Sequence, residues 1–454
     1  MVAKDDGIEH VIVLMLENRS FDQMLGALAE ELKLDGVLTT DGKPRTNRDA
    51  SRRQYKQQSG AARVIRFDPK HELEHVVAQL AGENTGFVDD FARAFPSSSP
   101  DDRAEIMKYY ETLPALHELA RNFVVCDRWF SSVPGPTWPN RFFVHSGTSL
   151  GRVAMPNGIL DANLHWYDQI TVYDRLNERS KPWAVYYGDI PQSLMLANQL
   201  EPHNAKNYSK MLNFYRDVGR HPSEPFPSYC FIEPAYYAPS ANDDHPTHDV
   251  AAGDRLIADV YNAVRANEDL WQKCLLVVLF GEHGGFYDHV VPPKAVPPDH
   301  HQQEYSFDQF GLRVPAILVS PRVDRGRVSS REFDHTSLLR YLSDKWSLGP
   351  LGARTAGAAS FEDAIVSDLR SDCPAALPYW DGLQGSPPMM TNRAELSSHQ
   401  TALFAMTQLL ESMSATEGAA LRSRIDRMIT GFDGAVDVGI ERVEEFLSGI
   451  RWNA

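Results

Sequence analysis

His10 to Gly26 reads HVIVLMLENRSFDQMLG. Its first part, Val11 to Leu16, is an unbroken apolar run rich in β-branched residues, the pattern of a strand buried on both faces of a parallel sheet. Polarity arrives abruptly at Glu17-Asn18-Arg19-Ser20. Ligands of open α/β sheets gather just beyond the carboxyl ends of the strands, so a carboxylate and an amide placed there are positioned to hold a metal or an anion. The competing local reading is that Glu17 and Asn18 cap a helix that starts near Phe21.

Further buried strands follow. Phe123-Val124-Val125 leads into SSVPGPTWPNRFF, residues 131–143. Pro and Gly fix an extended turn, and Pro139 suits the first turn of a helix running through Val144. Thr137 then lies at a helix N-terminus, where free N–H groups and the helix dipole favour a phosphate and a developing alkoxide; an N-cap role for Thr137 is compatible with this. WAVYY (183–187) and SYCFI (228–232) read as strands, the second feeding a loop over 239–250. Within that loop Asp243, Asp244, Asp249, His245 and His248 fall in seven residues, a density that suits a metal or phosphate shell. LLVVLF (275–280) is another buried strand and ends in GEHGGFYDHV, residues 281–290. Gly311-Leu312-Arg313-Val314-Pro315 precedes a strand through Val319, and Phe333-Asp334-His335-Thr336-Ser337 opens an amphipathic helix with Asp334 as its cap. Asp68-Pro69-Lys70-His71-Glu72 precedes another helical pattern, where His71 reads locally as a surface or capping residue. Strands alternating with helices predict an α/β fold with a mostly parallel central sheet.

ENRSFD at 17–22, with four further blocks in the same order, resembles the phosphoesterase family of bacterial phospholipases C, plant non-specific phospholipases C and a bacterial acid phosphatase. The resemblance covers roughly residues 8 to 350 and implies an alkaline phosphatase-like fold over 1–350, followed by an irregular segment and a helical extension over 351–454. It implies Thr137, in the TxPNR block of the phospholipase C branch, as nucleophile. Glu17, Asn18, Thr137 and Glu282 are implied as ligands of a divalent metal, with His245, His248 and His335 as candidates for proton transfer. Asn140, Arg141, His71 and Asp244 are the candidate substrate contacts. The chain departs from the family at Gly281, where the usual Asp-Glu-x-Gly-Gly block has its first acid. Either water or Asp288 replaces that ligand, or turnover is impaired.

These residues imply phosphoryl transfer in two in-line displacements through a phosphothreonine. Oxygen ligands suit Ca, Mg or Mn, whereas nearby histidines admit Zn. Thr rather than Ser points to a phospholipid diester such as phosphatidylcholine; a broad acid phosphatase and a binding protein with weak turnover are the alternatives. Trp129, Trp138, Tyr236 and Tyr237 offer either cation–π contacts to choline or ordinary core packing.

At 454 residues the chain can bury a large core. A net charge of −16 argues against nucleic acid as a partner and provides no basic patch for anionic membranes. Cys126, Cys230, Cys274 and Cys373 lack metal-type spacing and read as buried thiols. No run is long and apolar enough to span a bilayer. MVAKDDGIEH has no signal-peptide pattern, which reads as cytoplasmic unless a leader has been removed. Residues 33–66 read as a surface excursion, 104–121 as a helix and 351–392 as irregular. Helical periodicity returns over Thr401 to Met413 and Glu417 to Ile450, a tail expected to pack on the core. The oligomeric state is left open.

Overall fold

The apolar run that opens the chain is a strand, β1 (His10–Leu16), every residue of which after His10 is buried. It sits inside an eight-stranded sheet in the computed structural model, which describes residues 6–37, 42–156, 167–220, 225–302, 304–380, 397–414 and 435–453. The other strands are β2 (Val124–Cys126), β3 (Trp183–Tyr187), β4 (Tyr208–Lys210), β5 (Tyr229–Glu233), β6 (Cys274–Phe280), β7 (Ala316–Val319) and β8 (Val328–Ser329). Their order across the sheet is β8-β2-β7-β6-β1-β5-β3-β4. All pair in parallel except β7, which runs antiparallel to β6 and β2. The central strands are continuous Val, Ile, Leu and Phe because helices cover both faces, leaving no side of the sheet to water.

The helices that matter for the site are α1 (Phe21–Leu25), α2 (Pro114–Asn122), α3 (Thr137–Ser146), α4 (Val250–Ala266), α5 (His335–Trp346), α6 (Ser398–Ser414) and α7 (Ala435–Asn453). The helix expected over 104–121 is broken. A short helix Pro100–Glu105 gives way to a strand, Lys108–Tyr109, paired with Gln58–Ser59, and α2 begins afresh at Pro114. Pro114 can only start a helix, and it holds Leu113 in extended backbone. The 33–66 excursion contains a hairpin of Thr46–Arg48 and Gln54–Lys56, whose Tyr55 is buried in a side cluster with Val76, Phe87 and Phe286.

Ala402, Leu403, Met406 and Leu410 of α6 belong to the same hydrophobic cluster as β1, so this part of the tail packs on the core. The expected helix over 417–450 lies partly outside the described residues, with 435–450 helical. Of the stretch read as irregular, Gly352–Gly357 is a short helix and 381–392 fall outside the described residues. All four cysteines are buried free thiols. No helix among the described residues is long and apolar enough to cross a membrane.

A buried ion network ties the turn after β6 to α1. Arg313 Nε donates to Asp288 Oδ1 at 2.9 Å and its Nη2 to Asp22 Oδ1 at 2.9 Å. His289 joins through Nδ1 to Asp22 Oδ2 at 2.8 Å and through Nε2 to Asp35 Oδ1 at 3.0 Å. Burial works against the imidazolium, but Asp22, Asp35 and Asp288 outweigh it and raise the His289 pKa to about 9. A raised folded-state pKa stabilises fully below the ordinary value and is lost as pH rises through the folded value. Unfolding free energy is therefore expected to fall by about 3 kcal/mol between pH 6.5 and pH 9 or just above. Urea titrations over that window test this: His289→Gln should flatten the slope, and an unchanged slope in the variant would place the titration elsewhere.

Candidate active site

Three adjacent parallel strands, β6, β1 and β5, end level with one another, with Leu16 beside Phe280 and Leu14 beside Ile232. Whatever follows them is gathered at one edge: Glu17 after β1, Gly281-Glu282 after β6, and Glu233 at the end of β5. The backbone knits these ends together. Gly281 N–H donates to Leu16 O (2.9 Å), Arg19 N–H to Glu282 O (3.0 Å) and Glu17 N–H to Asp243 O (2.8 Å). Asn18 takes a left-handed φ of 54°, which Asn tolerates better than most residues. The turn at Gly284, φ 61°, crosses so close over the Asn18 backbone that a Cβ there would collide with it. The capping role falls to Ser20, which accepts from Gln23 N–H, and this leaves Glu17 and Asn18 free of the helix.

Thr137 is the first residue of α3, with Pro136 in the N-cap position; it is not itself the cap. Its hydroxyl donates to Glu282 Oε1 at 2.6 Å. One turn along, Arg141 donates through Nε to Glu17 Oε1 (2.9 Å) and through Nη2 to Met15 O (3.2 Å); Nη2 also lies 2.8 Å from Glu17 Oε1 as an ion pair, and Nη1 3.8 Å from Glu233 Oε2. None of Arg141, Glu17 and Glu233 has exposed surface. Burial pushes the Glu17 carboxyl well above its usual range, and the neighbouring Glu282 and Asp243 charges add to this against the pull of Arg141. Burial also raises Glu282.

Three oxygens here have no hydrogen-bond partner although each is buried: Glu17 Oε2, Asn18 Oδ1 and Glu282 Oε2. Buried acceptors left bare are costly, and two carboxylates among them call for a positive charge. A divalent cation suits this set of oxygen donors. The group Asp22, Asp288 and His289 also brings potential ligand atoms within 4.8 Å of one another, but the guanidinium of Arg313 already supplies its cation. Asp288 is bound there and to the N–H of Asp22 and Val290, so it does not stand in for the acid missing at 281.

The imidazoles divide by their partners. His71 Nδ1–H donates to Pro69 O (2.9 Å), leaving Nε2 to accept from Asn18 Nδ2 (3.0 Å) and so turning the Asn18 oxygen the other way. His245 uses Nδ1 on the Pro246 carbonyl, and its buried Nε2 has no hydrogen-bond partner, 4.0 Å from Asp68 Oδ2. Burial holds its pKa well below the usual value, reinforced by the charge of His248. His248 pairs through Nδ1 with Asp243 Oδ1 at 2.7 Å. Burial opposes its charge, but the Asp243 carboxylate, with Asp68 and Asp189 behind it, raises its pKa above 6.5. At 9% exposure it is the most open of these rings.

Other expected contacts lie differently. Asn140 spends its amide on Val133, Gly135 and Pro136, bracing the loop before Thr137 rather than facing a substrate. Arg141 is a clamp on Glu17. The Asp244 carboxylate lies against Gly253 of α4, while its carbonyl accepts from Arg19 Nε at 2.7 Å. His335 has both nitrogens engaged: Nδ1 accepts from Trp129 Nε1 (3.3 Å) and Nε2 meets Gly281 O (2.7 Å), so it supports the strand end. Trp129, Trp138, Tyr236 and Tyr237 are core residues, and Arg141 already lies over the Tyr236 ring at 5.4 Å. Asp243 entered the sequence reading only as one member of the titratable loop and Asp68 only as part of the stretch before His71; nothing local marks Asp243 as the partner of His248 or Asp68 as the neighbour of His245.

A sequence profile of the Phosphoesterase family matches residues 8–349. Non-specific phospholipase C6 of Arabidopsis thaliana is 35% identical over 433 residues, covering 89% of this chain and 81% of the plant protein. Phospholipase C B of Mycobacterium tuberculosis is 26% identical over 437 residues, covering 82% and 78%. Among solved structures, a protein in the alkaline phosphatase superfamily from Vibrio parahaemolyticus shares 9% identity with a TM-score of 0.36, covering 90% of this chain and 89% of the other. Matched by that profile over residues 8–349 and similar along most of its length to the plant protein, the chain belongs to the Phosphoesterase family.

Proposed function

We propose that this chain hydrolyses phosphoric esters with Thr137 as nucleophile, and that its substrates are phospholipid diesters of the phosphatidylcholine type. The observation that carries the reading is the Thr137 hydroxyl, at a helix N-terminus and 2.6 Å from the Glu282 carboxylate, beside three bare buried oxygens. Glu17, Asn18, Thr137 and Glu282 would hold a divalent cation, and their all-oxygen donor set favours Ca, Mg or Mn over Zn. Such an ion, when bound, offsets the charge that develops on the phosphoryl group.

The remaining work falls to the chain's own groups. The Thr137 oxygen bonds to phosphorus, losing its proton towards Glu282, as the bond to the departing alcohol breaks. His248, held charged by Asp243, supplies the proton that alcohol needs. In the second displacement water attacks the phosphothreonine, His248 takes a proton from it, and the Thr137 oxygen leaves, taking back the proton held by Glu282. His248 fits this double duty through its partner and its openness; His245 is held neutral and His335 has no free nitrogen. The names of the relatives support a diester substrate. Headgroup choice does not come from the four aromatics first considered, because the core occupies them.

Thr137→Val should lower turnover of phosphatidylcholine and of p-nitrophenylphosphorylcholine by about 10⁴-fold or more, and labelled phosphate should be trapped on the wild-type chain alone. A variant within tenfold of wild type would overturn the assignment. p-Nitrophenyl phosphate as the better substrate would move the reading to a phosphomonoesterase.

Because the acid form of His248 persists above pH 6.5, the alkaline limb of kcat/KM should lie above that value. Asp243→Asn removes the charge that raises it, so the limb should move to lower pH. A limb that stays in place excludes His248 as the proton donor.

Weak turnover has one observation in its favour, the absent acid at 281. A Cβ on Gly281 would find Met15 Cε at 3.4 Å and nothing closer, so a side chain can be accommodated. Gly281→Asp should tighten manganese binding on the order of tenfold or more by adding an anionic ligand. Calorimetry reads this directly, and unchanged affinity would show that position 281 does not face the cation.

A further inference from the structure

The start of α6 reaches into the site from beyond residue 349, where the family match ends. It is pinned there: Gln400 Nε2 donates to Tyr236 O at 2.6 Å, and Tyr237 Oη donates to Gln400 O at 2.6 Å. One residue before this anchor His399, 1% exposed, stands edge-on to the Tyr236 ring at 4.6 Å between centroids. Its Nδ1 accepts a hydrogen bond of 2.9 Å from Trp138 Nε1, on the residue next to Thr137. Its Nε2 is buried, has no hydrogen-bond partner and lies 3.7 Å from Glu17 Oε1.

The tautomer follows from the partner. An indole N–H can only donate, so Nδ1 must offer a lone pair, and a neutral ring then carries its proton on Nε2. An imidazolium would set two N–H groups against each other at Trp138. With the proton on Nε2 the ring can neither coordinate a cation there nor accept a proton there; it is a donor lacking an acceptor. Glu17 Oε1 is beyond hydrogen-bond reach and is already bonded by Arg141 Nε and ion-paired with its Nη2. What the position suits is an oxygen that arrives with the substrate.

We propose that His399 Nε2–H donates to a non-bridging phosphoryl oxygen of the substrate, so that α6 completes the phosphate site. This rests on the hydrolase reading above. Trp138 is the positioning residue that fixes the ring, and the helix that presents the nucleophile thereby also sets the proton on a residue more than 250 positions away.

The test uses inorganic phosphate and the full chain in the presence of magnesium. Equilibrium dialysis should show His399→Ala binding phosphate about tenfold more weakly than wild type, with His399→Gln, whose amide also donates, within about threefold of it. Nitrogen-15 spectra of wild type should show a bare Nδ1 and a protonated Nε2, with the Nε2 proton moving downfield when phosphate is added. Equal phosphate affinity in wild type and His399→Ala, or a proton on Nδ1, overturns the proposal, and the spectrum decides should the alanine variant fail to fold. A wild-type chain that binds no phosphate sinks the hydrolase reading along with it. Phosphate binding that depends on His399, found in a chain that traps no phosphate on Thr137, would leave the donor standing and overturn the nucleophile alone.

Discussion

Two carboxylates, Glu17 and Glu282, are buried in one site, and the guanidinium of Arg141 is bonded to only the first of them. Taking such groups from water costs several kcal/mol per ion unless paired and hydrogen-bonded. Arg141 satisfies only Glu17 Oε1, and Thr137 satisfies only Glu282 Oε1. The other oxygen of each is bare. A fold selected for stability alone would not leave this arrangement at the level ends of three of its best-packed strands. It persists because β1, β5 and β6 are so thoroughly buried that their register cannot slip to relieve it: moving any of them by one residue would exchange the two faces of the sheet.

That register also explains how remote pieces of chain reach one place. Parallel neighbours deliver their carboxyl ends to the same edge, so residues 17, 233 and 282 become neighbours without any local signal between them. The helices then aim side chains inward from above. Thr137 and Arg141, four apart on α3, share a face, one meeting Glu282 and the other Glu17. A single helix thus braces both acids.

The strands were legible from sequence because apolar runs of five to seven residues are long enough to announce burial on both faces. The start of α3 at Thr137 was legible because Pro136 and Pro139 mark where a helix must begin. Failures came where meaning depends on a distant partner. Asn140 and Asp244 occupy suggestive positions, yet each side chain turns towards its own loop or helix. His335 looks like a ligand in its local pattern, while Trp129 and the Gly281 carbonyl occupy both its nitrogens. His399 had no local pattern at all and becomes significant through Trp138, whereas Asp243 stood in a suggestive loop without any sign that it would be the partner of His248. The break before α2 is a different kind of miss, because the apolar periodicity over 104–121 overrode the plain meaning of Pro114.

Gly281 shows how separable the fold is from its chemistry. The neighbours that define this strand end use its backbone: Gly281 N–H bonds Leu16 O and its carbonyl meets His335. No side chain at 281 is needed for either contact. An aspartate there would add a third acid near Glu17 and Glu282, tolerable with a cation present and unfavourable without one. Glycine at 281 spares the two glutamates that repulsion, and in the proposed reading it would also weaken the hold on a cation, a direction in which stability and activity oppose each other. The sheet is indifferent to which residue stands at 281, and only the chemistry at its edge registers the difference.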